Sequence, residues 1–282
     1  MERALYFECA SGISGDMTVA ALLDLGADEK KLLQVLETVP ADGFTVELSR
    51  VKKSGLDCQD FDVKLDEAHE NHDHDMEYLH GHEHEADDHE HHHEAHEHDG
   101  HEHHHEHGHH HLHRHLADVN AIIDGTQMTD RARALAKKIF RILAEAEAKA
   151  HGLPLEEVHF HEVGAIDSIV DVISIAVCFD DINITDVIVK SVTEGCGTIR
   201  CQHGILPVPV PAVTNIAQRY ALPMRIADVR GEFVTPTGAA FLAAVKTKES
   251  LPERFRIVKT GLGAGKREYA LPGLLRAMIV EG

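Results

Sequence analysis

The sequence predicts a mixed α/β fold, in which a compact domain is interrupted by a histidine-rich insert. Two kinds of pattern alternate along the chain: apolar residues at helical spacing, and short apolar or alternating stretches typical of strands. A third observation is a stretch at residues 69–115 with almost no apolar residues, which we expect to be disordered because it cannot offset the entropy of ordering. We expect the α/β segments 1–68 and 116–282 to pack together around one core.

The segment before the insert contains both patterns. An apolar stretch at its start is typical of a buried strand, and a glycine-containing turn precedes apolar residues at helical spacing that end at Gly26. Two later stretches, at 44–51 and 60–65, alternate between apolar and polar residues as strands do, so a hairpin or meander is expected. The predicted elements are a strand at 4–9, helices at 16–25 and 28–38, and strands at 44–51 and 60–65.

Structure is predicted to resume near Leu116. Thr129 fits the N-cap of a long helix that ends before Gly152, and Pro236 fits the first helical position after a cap at Thr235. The predicted elements are helices at 129–151, 166–179, 211–220 and 235–245, and strands at 187–193, 255–260 and 274–280.

Charge and composition exclude several classes of function. The chain of 282 residues has a net charge of −21, which argues against a nucleic-acid partner. Its 5 cysteines fit no disulfide framework, the N-terminus lacks the features of a signal peptide, and no stretch approaches the roughly 20 apolar residues of a membrane span. We expect a cytoplasmic protein without a membrane partner, and a homo-oligomer.

The insert contains 22 of the 26 histidines, together with 14 acidic residues and one arginine. Neutral imidazole binds nickel, copper and zinc, so binding should weaken as the pH falls through the range near 6.5. A purification tag or solvated spacer is the alternative, but a tag is normally terminal and uniform. We interpret the insert as a store or donor of transition-metal ions, with nickel favoured and zinc and copper left open. The candidate ligands are His89, His91, His92, His93, His96, His98, His101, His103, His104, His105, His107, His109, His110, His111, His113 and His115.

A second cluster of ionisable residues lies between positions 158 and 171. His159 and His161 share one face if the chain is extended there, and Asp167 and Asp171 share one face of the helix that follows. With Glu162 between them, this set can bind a metal or move protons. Alternatively, Asp167 caps the helix and the histidines satisfy backbone groups.

A glycine-containing turn connects the first strand to the first helix. Glycines allow backbone N–H groups to face an anion at a helix N-terminus. The turn lacks both the Gly-Lys-Ser/Thr ending of a P-loop and the full dinucleotide-binding fingerprint. Glu8 and Asp16 would repel a phosphate unless a cation lay between them, and a tight turn with an N-cap is the alternative. The candidate ligand-binding residues are Ser11, Gly12, Ser14, Gly15 and Asp16.

Two thiols and an imidazole follow the predicted strand at 187–193. Cys196, Cys201 and His203 lie near glycines and could form a metal or acid–base site. Their spacing is not a standard zinc spacing, so the role of the thiols stays open.

A second glycine-rich stretch lies near the C-terminus. Gly261, Gly263 and Gly265 precede Lys266 and Arg267, and a loop of this composition could cradle a phosphate or carboxylate. A glycine loop in a hairpin is the equal alternative.

Together these motifs give the chain a close resemblance to one family, the nickel-insertion proteins, or cyclometallases, that build the nickel-pincer nucleotide of lactate racemase. Six motifs occur in the order typical of the family and cover nearly the whole chain. They are FECASGISGDM at 7–17, the end of the histidine run at 114–118, VHFHEVGAIDSIVD at 158–171, HGILPVP at 203–209, TPTGAA at 235–240 and GLGAG at 261–265.

The resemblance implies that nickel is placed into a pyridinium bisthiocarboxylate mononucleotide, with one carbon–nickel and two sulfur–nickel bonds. It also implies dependence on CTP and on manganese or magnesium, activation of the substrate by nucleotidyl transfer, and delivery to the apo-racemase. Two features depart from the family pattern: Glu8 stands where Asp is expected, and the chain ends at Gly282, before the C-terminal CTP-binding part. We expect this chain to be the first part and to act with that second part.

We therefore predict an enzyme in which one imidazole or carboxylate removes the ring proton as nickel bonds to carbon. Asp16 and its turn would hold a phosphate through a cation. The alternatives are a non-catalytic nickel metallochaperone or store and, with no recognisable signature, a zinc-dependent hydrolase. The candidate catalytic residues are His159, His161, Glu162, Asp167, Asp171 and His203.

Overall fold

The computed structural model describes residues 2–66, 114–160, 164–201 and 203–282. Helices and strands alternate through these ranges, which confirms the predicted mixed α/β class. The predicted division at residues 68 and 115 stays a prediction. The helices are α1 (Gly15–Leu25), α2 (Glu29–Leu36), α3 (Leu116–Gly125), α4 (Asp130–His151), α5 (Ile166–Ile182), α6 (Pro211–Tyr220) and α7 (Pro236–Val245), with a 3₁₀ turn at Leu155–Glu157. The strands are β1 (Arg3–Glu8), β2 (Phe44–Lys53), β3 (Leu56–Leu65), β4 (Val187–Ile188), β5 (Val192–Cys196), β6 (Thr198–Cys201), β7 (Gly204–Pro207), β8 (Met224–Arg230), β9 (Arg256–Ala264) and β10 (Leu274–Glu281).

Strands from both ends of the chain form the main sheet, whose order is β2-β3-β9-β10-β1-β4. The first strand, β1, pairs antiparallel with the last, β10, so that Tyr6 lies opposite Met278. The β2–β3 hairpin joins the sheet through Gln59 of β3, which pairs with Gly263 of β9. The chain segments before and after the histidine run therefore share one sheet.

The core lies between this sheet and a layer of helices. Helix α1 packs on β9, β3 and α5, and helix α4 packs on α5, α6 and α7. Phe7 of β1 and Phe241 of α7 meet edge to face, with ring centroids 5.3 Å apart, at the centre of the core. Because helix α1 is enclosed on several sides, the turn before it is held in a defined position.

Several predicted helix ends are confirmed in detail. The Thr129 hydroxyl accepts a hydrogen bond from the Ala132 N–H at 3.1 Å, and the Thr235 hydroxyl accepts one from the Gly238 N–H at 3.2 Å. Gly26 ends α1 with a φ of 112°, a left-handed conformation that glycine adopts without strain. These local signals were readable because each depends on a few neighbouring residues.

The β strands were predicted less well. The predicted strand at 187–193 is two strands, β4 and β5, and the prediction missed the β6–β7 hairpin and β8. These strands leave much of their surface exposed, so they lack the apolar stretch that marks a buried strand. None of the helices within the described ranges is long and apolar enough to span a membrane.

The expectation of a glycine loop at 261–265 is wrong for its first half. Gly261 and Gly263 lie within strand β9, on the face that packs against the backbone of helix α1. A Cβ at Gly261 would lie 2.3 Å from the Ala21 carbonyl oxygen. These two glycines permit close packing of strand and helix and do not cradle a ligand, whereas Gly265 lies beyond the strand and lines the cavity described below.

We expect Gly263→Ala to destabilise the fold by about 1–3 kcal/mol, because overpacking a close backbone contact forces both elements apart. The added Cβ would lie 2.1 Å from the Met17 carbonyl oxygen and 2.5 Å from the Ala21 nitrogen. Urea denaturation would measure the loss, with Thr260→Ala, exposed in the same strand, as a control that should change stability by less than about 0.5 kcal/mol. Equal stabilities of the two variants would contradict the packing role.

Candidate active-site cavity

A cavity of about 630 Å³ brings together most of the motifs that the sequence singled out. Its volume lies within the range of about 300–1,000 Å³ that is typical of small-molecule sites. The motifs come from the turn before α1, the first turns of α5, the β6–β7 hairpin and the segment after β9. The lining residues from these motifs are Ser11, Ser14, Gly15, Asp16, Asp167, Asp171, Cys201, His203, Gly265, Lys266 and Arg267.

The turn before α1 places two carboxyl groups at the N-terminus of that helix. The Ser14 hydroxyl donates to Asp16, the Met17 N–H donates to the Asp16 carboxylate, and the Asp16 N–H donates to Asp171 of α5. Gly15 makes this arrangement possible, since a Cβ there would lie 2.3 Å from an Asp171 carboxylate oxygen. Helix N–H groups that could face a phosphate therefore already bind the protein's own carboxyl groups.

Gly12 has a packing role in the turn before α1. Its φ of +86° is left-handed, and a Cβ would lie 2.0 Å from the Phe233 carbonyl oxygen. Gly12 does not line the cavity, whereas Phe233 does. The glycine is needed so that the turn can approach the chain at Phe233, and its role as a ligand-binding residue stays a prediction.

Burial raises the pKa of both carboxyl groups at the start of α1. For Asp16 burial is the main cause, partly offset by the hydrogen bonds from Ser14 and Met17. For Asp171 the pKa is raised well above its ordinary value by burial and then by the nearby charges of Asp16 and Asp167. A carboxylate with a raised pKa is a stronger base, so Asp171 is suited to remove a proton from a bound ligand.

The basic residues of the cavity are paired with acids. The Lys266 ammonium lies 2.7 Å from Asp60 and 3.3 Å from Asp62. Burial lowers the pKa of Lys266, but the two carboxylates raise it by more, so the pKa lies above its ordinary value. The Arg267 guanidinium lies 2.8 Å from Glu232. Both cations can meet a ligand phosphate, although the phosphate would compete with carboxylates already in place.

Two imidazoles and a thiol occupy another part of the lining. His151, at the end of α4, has its ring centroid 4.9 Å from that of His203, and Cys201 Sγ lies 3.9 Å from His203 Nδ1. The Glu147 carboxylate lies 3.5 Å from His151 Nε2. Burial, and then the proximity of His203, lowers the pKa of His151, which favours the neutral imidazole. Cys196 does not line the cavity.

The sequence analysis missed His151 and Glu147, because they were assigned to the last turn of an ordinary helix. A usable signal was present: His151 is one of only 4 histidines outside the run, and all of the others had been singled out. Its spacing of four from Glu147 also places the two side chains on one helix face.

His159 does not line the cavity, whereas Asp167 and Asp171 do, so its catalytic role beside them stays a prediction. The neighbouring Phe160 is buried in the core with 1% exposure, so the extended chain points His159 outward. Its ring lies against that of His115, with centroids 4.1 Å apart. The predicted catalytic residues His161 and Glu162 lie outside the described residues.

The candidate metal ligands from His89 to His113 also lie outside the described residues, whereas the last one, His115, is described. The backbone N–H of His115 donates to the carboxylate of Asp118, in the first turn of α3, at 2.8 Å. The ring nitrogen Nδ1 of His115 lies 3.2 Å from the Val158 carbonyl oxygen. Arg114 donates to the Gly164 carbonyl oxygen at 2.8 Å. His115 therefore belongs to the folded structure, and its role as a metal ligand stays a prediction.

Glu194 is a buried carboxyl group that sequence analysis missed. It lies in β5 with 0% exposure, and Oε1 accepts hydrogen bonds from the N–H groups of Gly195, Phe233 and Val234 at 2.8, 2.7 and 3.2 Å. Burial raises its pKa to about 7. The contacts hold the chain at Phe233 in place, and no local sequence signal marks a single Glu as such an anchor.

Within residues 2–66, 114–160, 164–201 and 203–282, no group of three or more His, Cys, Asp or Glu side chains is arranged to hold a metal ion. Pairs of such groups do occur in the cavity, as Asp16 with Asp171 and His151 with His203. A metal ion bound to one of these pairs would need further ligands from outside the described residues.

The fold and the cavity define an α/β protein with a candidate small-molecule site, which is lined by carboxyl groups, imidazoles and a thiol. The chain belongs to the nickel insertion protein family, whose profile matches residues 5–282. It is 48% identical, over all of its length, to the pyridinium-3,5-bisthiocarboxylic acid mononucleotide nickel insertion protein of Alkaliphilus metalliredigens (strain QYMF). It is 43% identical, over 99% of its length, to the protein of that name from Clostridium acetobutylicum.

The chain spans 61% of the length of the Alkaliphilus relative and 64% of that of the Clostridium relative. A relative from Geobacter sp. (strain M21), a putative nickel insertion protein by name, is 36% identical over 99% of the chain. No solved structure matches the chain.

Proposed function

We propose that this chain inserts nickel into pyridinium-3,5-bisthiocarboxylic acid mononucleotide, the compound in the names of its relatives. The observation that carries the proposal is the cavity, in which carboxyl groups of raised pKa, imidazoles, a thiol and two cations face one volume. Nickel is the cargo of this reaction, and the nucleotide is the acceptor.

The lining supports each part of such a nucleotide. Lys266 and Arg267 provide positive charge for its phosphate, and the half-buried Leu206 provides apolar surface for its ring. The phosphate would replace part of the contacts that Lys266 makes to Asp60 and that Arg267 makes to Glu232.

The chemistry requires a base. Nickel bonds to the ring carbon between the two thiocarboxylates, the carbon–hydrogen bond breaks, its electron pair forms the carbon–nickel bond, and the proton passes to a carboxylate. Nickel stays in the +2 state throughout. We assign the role of proton acceptor to Asp171, because it lines the cavity and its pKa is raised. Asp171, Asp167 and Asp16 together are called the carboxyl group cluster.

CTP dependence and a C-terminal CTP-binding part belong to this proposal through the family resemblance. The described residues contain no group of three or more His, Cys, Asp or Glu side chains that could hold a metal ion. Magnesium is commonly held by one or two carboxylates together with substrate phosphate, so Asp16 would hold a manganese or magnesium ion that bridges to the phosphate. The apo-racemase as recipient and the homo-oligomer stay predictions.

The rival function is a nickel store or metallochaperone without catalysis, and replacement of residues 69–113 separates the two. Arg114 and His115 are kept because they contact Gly164 and Val158. With a Gly/Ser linker of equal length in the protein joined to its C-terminal part, we expect insertion at saturating nickel to stay near normal. At low nickel the rate should fall, because tethered ligands raise the local concentration of the ion.

Mass spectrometry of the nucleotide would measure insertion, since nickel adds a defined mass. The control is the unaltered protein over the same range of nickel concentrations. Complete loss of insertion at every nickel concentration, with normal folding by circular dichroism, would support the store and contradict the enzyme.

A further inference from the structure

The cavity wall formed by α4 and the β6–β7 hairpin carries a set of ligand groups that the carboxyl chemistry does not use. His151 and His203 face each other with ring centroids 4.9 Å apart, and Cys201 lies beside His203. Imidazole and thiolate are ligands that nickel accepts readily. The elements that provide them are separated in sequence and are brought together by the fold.

The number of ligands in this set indicates its use. A resident metal ion needs a nearly complete set of protein ligands, and the described residues contain no such group. A site that passes nickel on needs fewer ligands, because the acceptor must complete the coordination of the ion. A bisthiocarboxylate nucleotide brings two sulfur atoms, which leaves two positions of a four-coordinate nickel ion for the protein.

We propose that His151 and His203 form a nickel transfer site, in which two imidazoles hold Ni²⁺ while both sulfurs of the bound nucleotide coordinate it. This inference rests on the proposed function. Two nickel–sulfur bonds form from the thiocarboxylate anions, and one nickel–nitrogen bond breaks as the carbon–nickel bond forms. Water replaces the second imidazole when the product leaves, and no electron is transferred. The ring proton leaves to the carboxyl group cluster.

Glu147 acts as a positioning residue in this site. Its carboxylate lies 3.5 Å from His151 Nε2, and the side chains of His151 and Glu147 are 29% and 18% exposed. A carboxylate at one ring nitrogen of a histidine orients the ring and favours metal binding through the other nitrogen, Nδ1. One face of helix α4 therefore provides both the ligand and the group that orients it.

The test is the effect of nickel on nucleotide affinity, measured by calorimetry with the full chain. We expect Ni²⁺ to tighten binding of the mononucleotide about tenfold or more, because nickel bridges protein and nucleotide. His151→Ala/His203→Ala should lose this gain, so that Ni²⁺ no longer changes the affinity of the variant for the nucleotide. The histidine run is identical in both proteins, so its own nickel binding does not affect the comparison. A double variant that retains the gain overturns the transfer site.

Lys149→Ala is the matched control, since Lys149 is exposed on the same helix and does not line the cavity. It should retain the full effect of nickel. If the unaltered chain binds no nucleotide with or without nickel, the proposed function fails, and a second measurement still decides the metal site. Modification of histidines by diethyl pyrocarbonate, followed by mass spectrometry, should slow at His151 and His203 together when Ni²⁺ alone is added. Unchanged rates at both residues would overturn the site.

Discussion

Asp171→Asn is expected to lower the rate of nickel insertion about 100- to 10,000-fold, which is the range for loss of a general base. Asparagine has nearly the same shape and can still accept the hydrogen bond from the Asp16 N–H, but it cannot take up the ring proton. The measurement is the single-turnover rate of nickel insertion, with the C-terminal part present and nucleotide and nickel both saturating.

The same substitution should not weaken the fold. Asp171 is buried next to Asp16 and Asp167, so a neutral side chain removes repulsion between like charges. We expect unchanged or increased stability in urea and an unchanged nucleotide affinity, which separates loss of chemistry from loss of structure. Asp130→Asn, exposed in the first turn of α4, is the control that should insert nickel normally. An Asp171→Asn protein as fast as this control would remove Asp171 from the proposed chemistry.

Glu194 should make the stability of the protein depend on pH. Its pKa of about 7 in the folded chain lies above the ordinary value of 4.5, because the group is buried and lies near Glu232. Between these two pH values the folded state holds a proton that the unfolded state has lost. The free energy of unfolding therefore falls as the pH rises from 4.5 to 7, by about 3 kcal/mol from this group, and then levels off.

Glu194→Gln is expected to remove this part of the pH dependence. The amide oxygen can still accept the hydrogen bonds from Phe233 and its neighbours, and the side chain does not ionise. Urea denaturation of both proteins at pH 5 and pH 8 would measure the change, and the variant should gain about 2–3 kcal/mol relative to the unaltered chain over this interval. Asp16 and Asp171 also titrate, but they are present in both proteins and cancel in the difference.

Glu157→Gln, at an exposed position in the 3₁₀ turn, is the control and should follow the unaltered chain at both pH values. Parallel pH profiles of the Glu194→Gln and unaltered proteins would show that the buried carboxyl group has an ordinary pKa. Such a result would also weaken the view that this residue anchors the cavity wall at Phe233.

Local sequence patterns predicted the helices and their caps well. The caps at Thr129 and Thr235 each depend on a hydrogen bond over three residues, so the sequence around them contains all that is needed. The strands that were missed, β6, β7 and β8, are partly exposed and show no apolar stretch. Their pairing depends on distant partners, which a local pattern does not record.

The sequence by itself determined the mixed α/β class, the main helix boundaries and the presence of motifs rich in ionisable residues. Only the tertiary structure decided which of these residues meet. It brought Asp171 to Gly15 and His151 to His203, turned His159 outward beside the buried Phe160, and placed Gly263 against helix α1. The physical reason is that periodicity and capping act over a few residues, whereas a site is formed by packing between elements far apart in the chain.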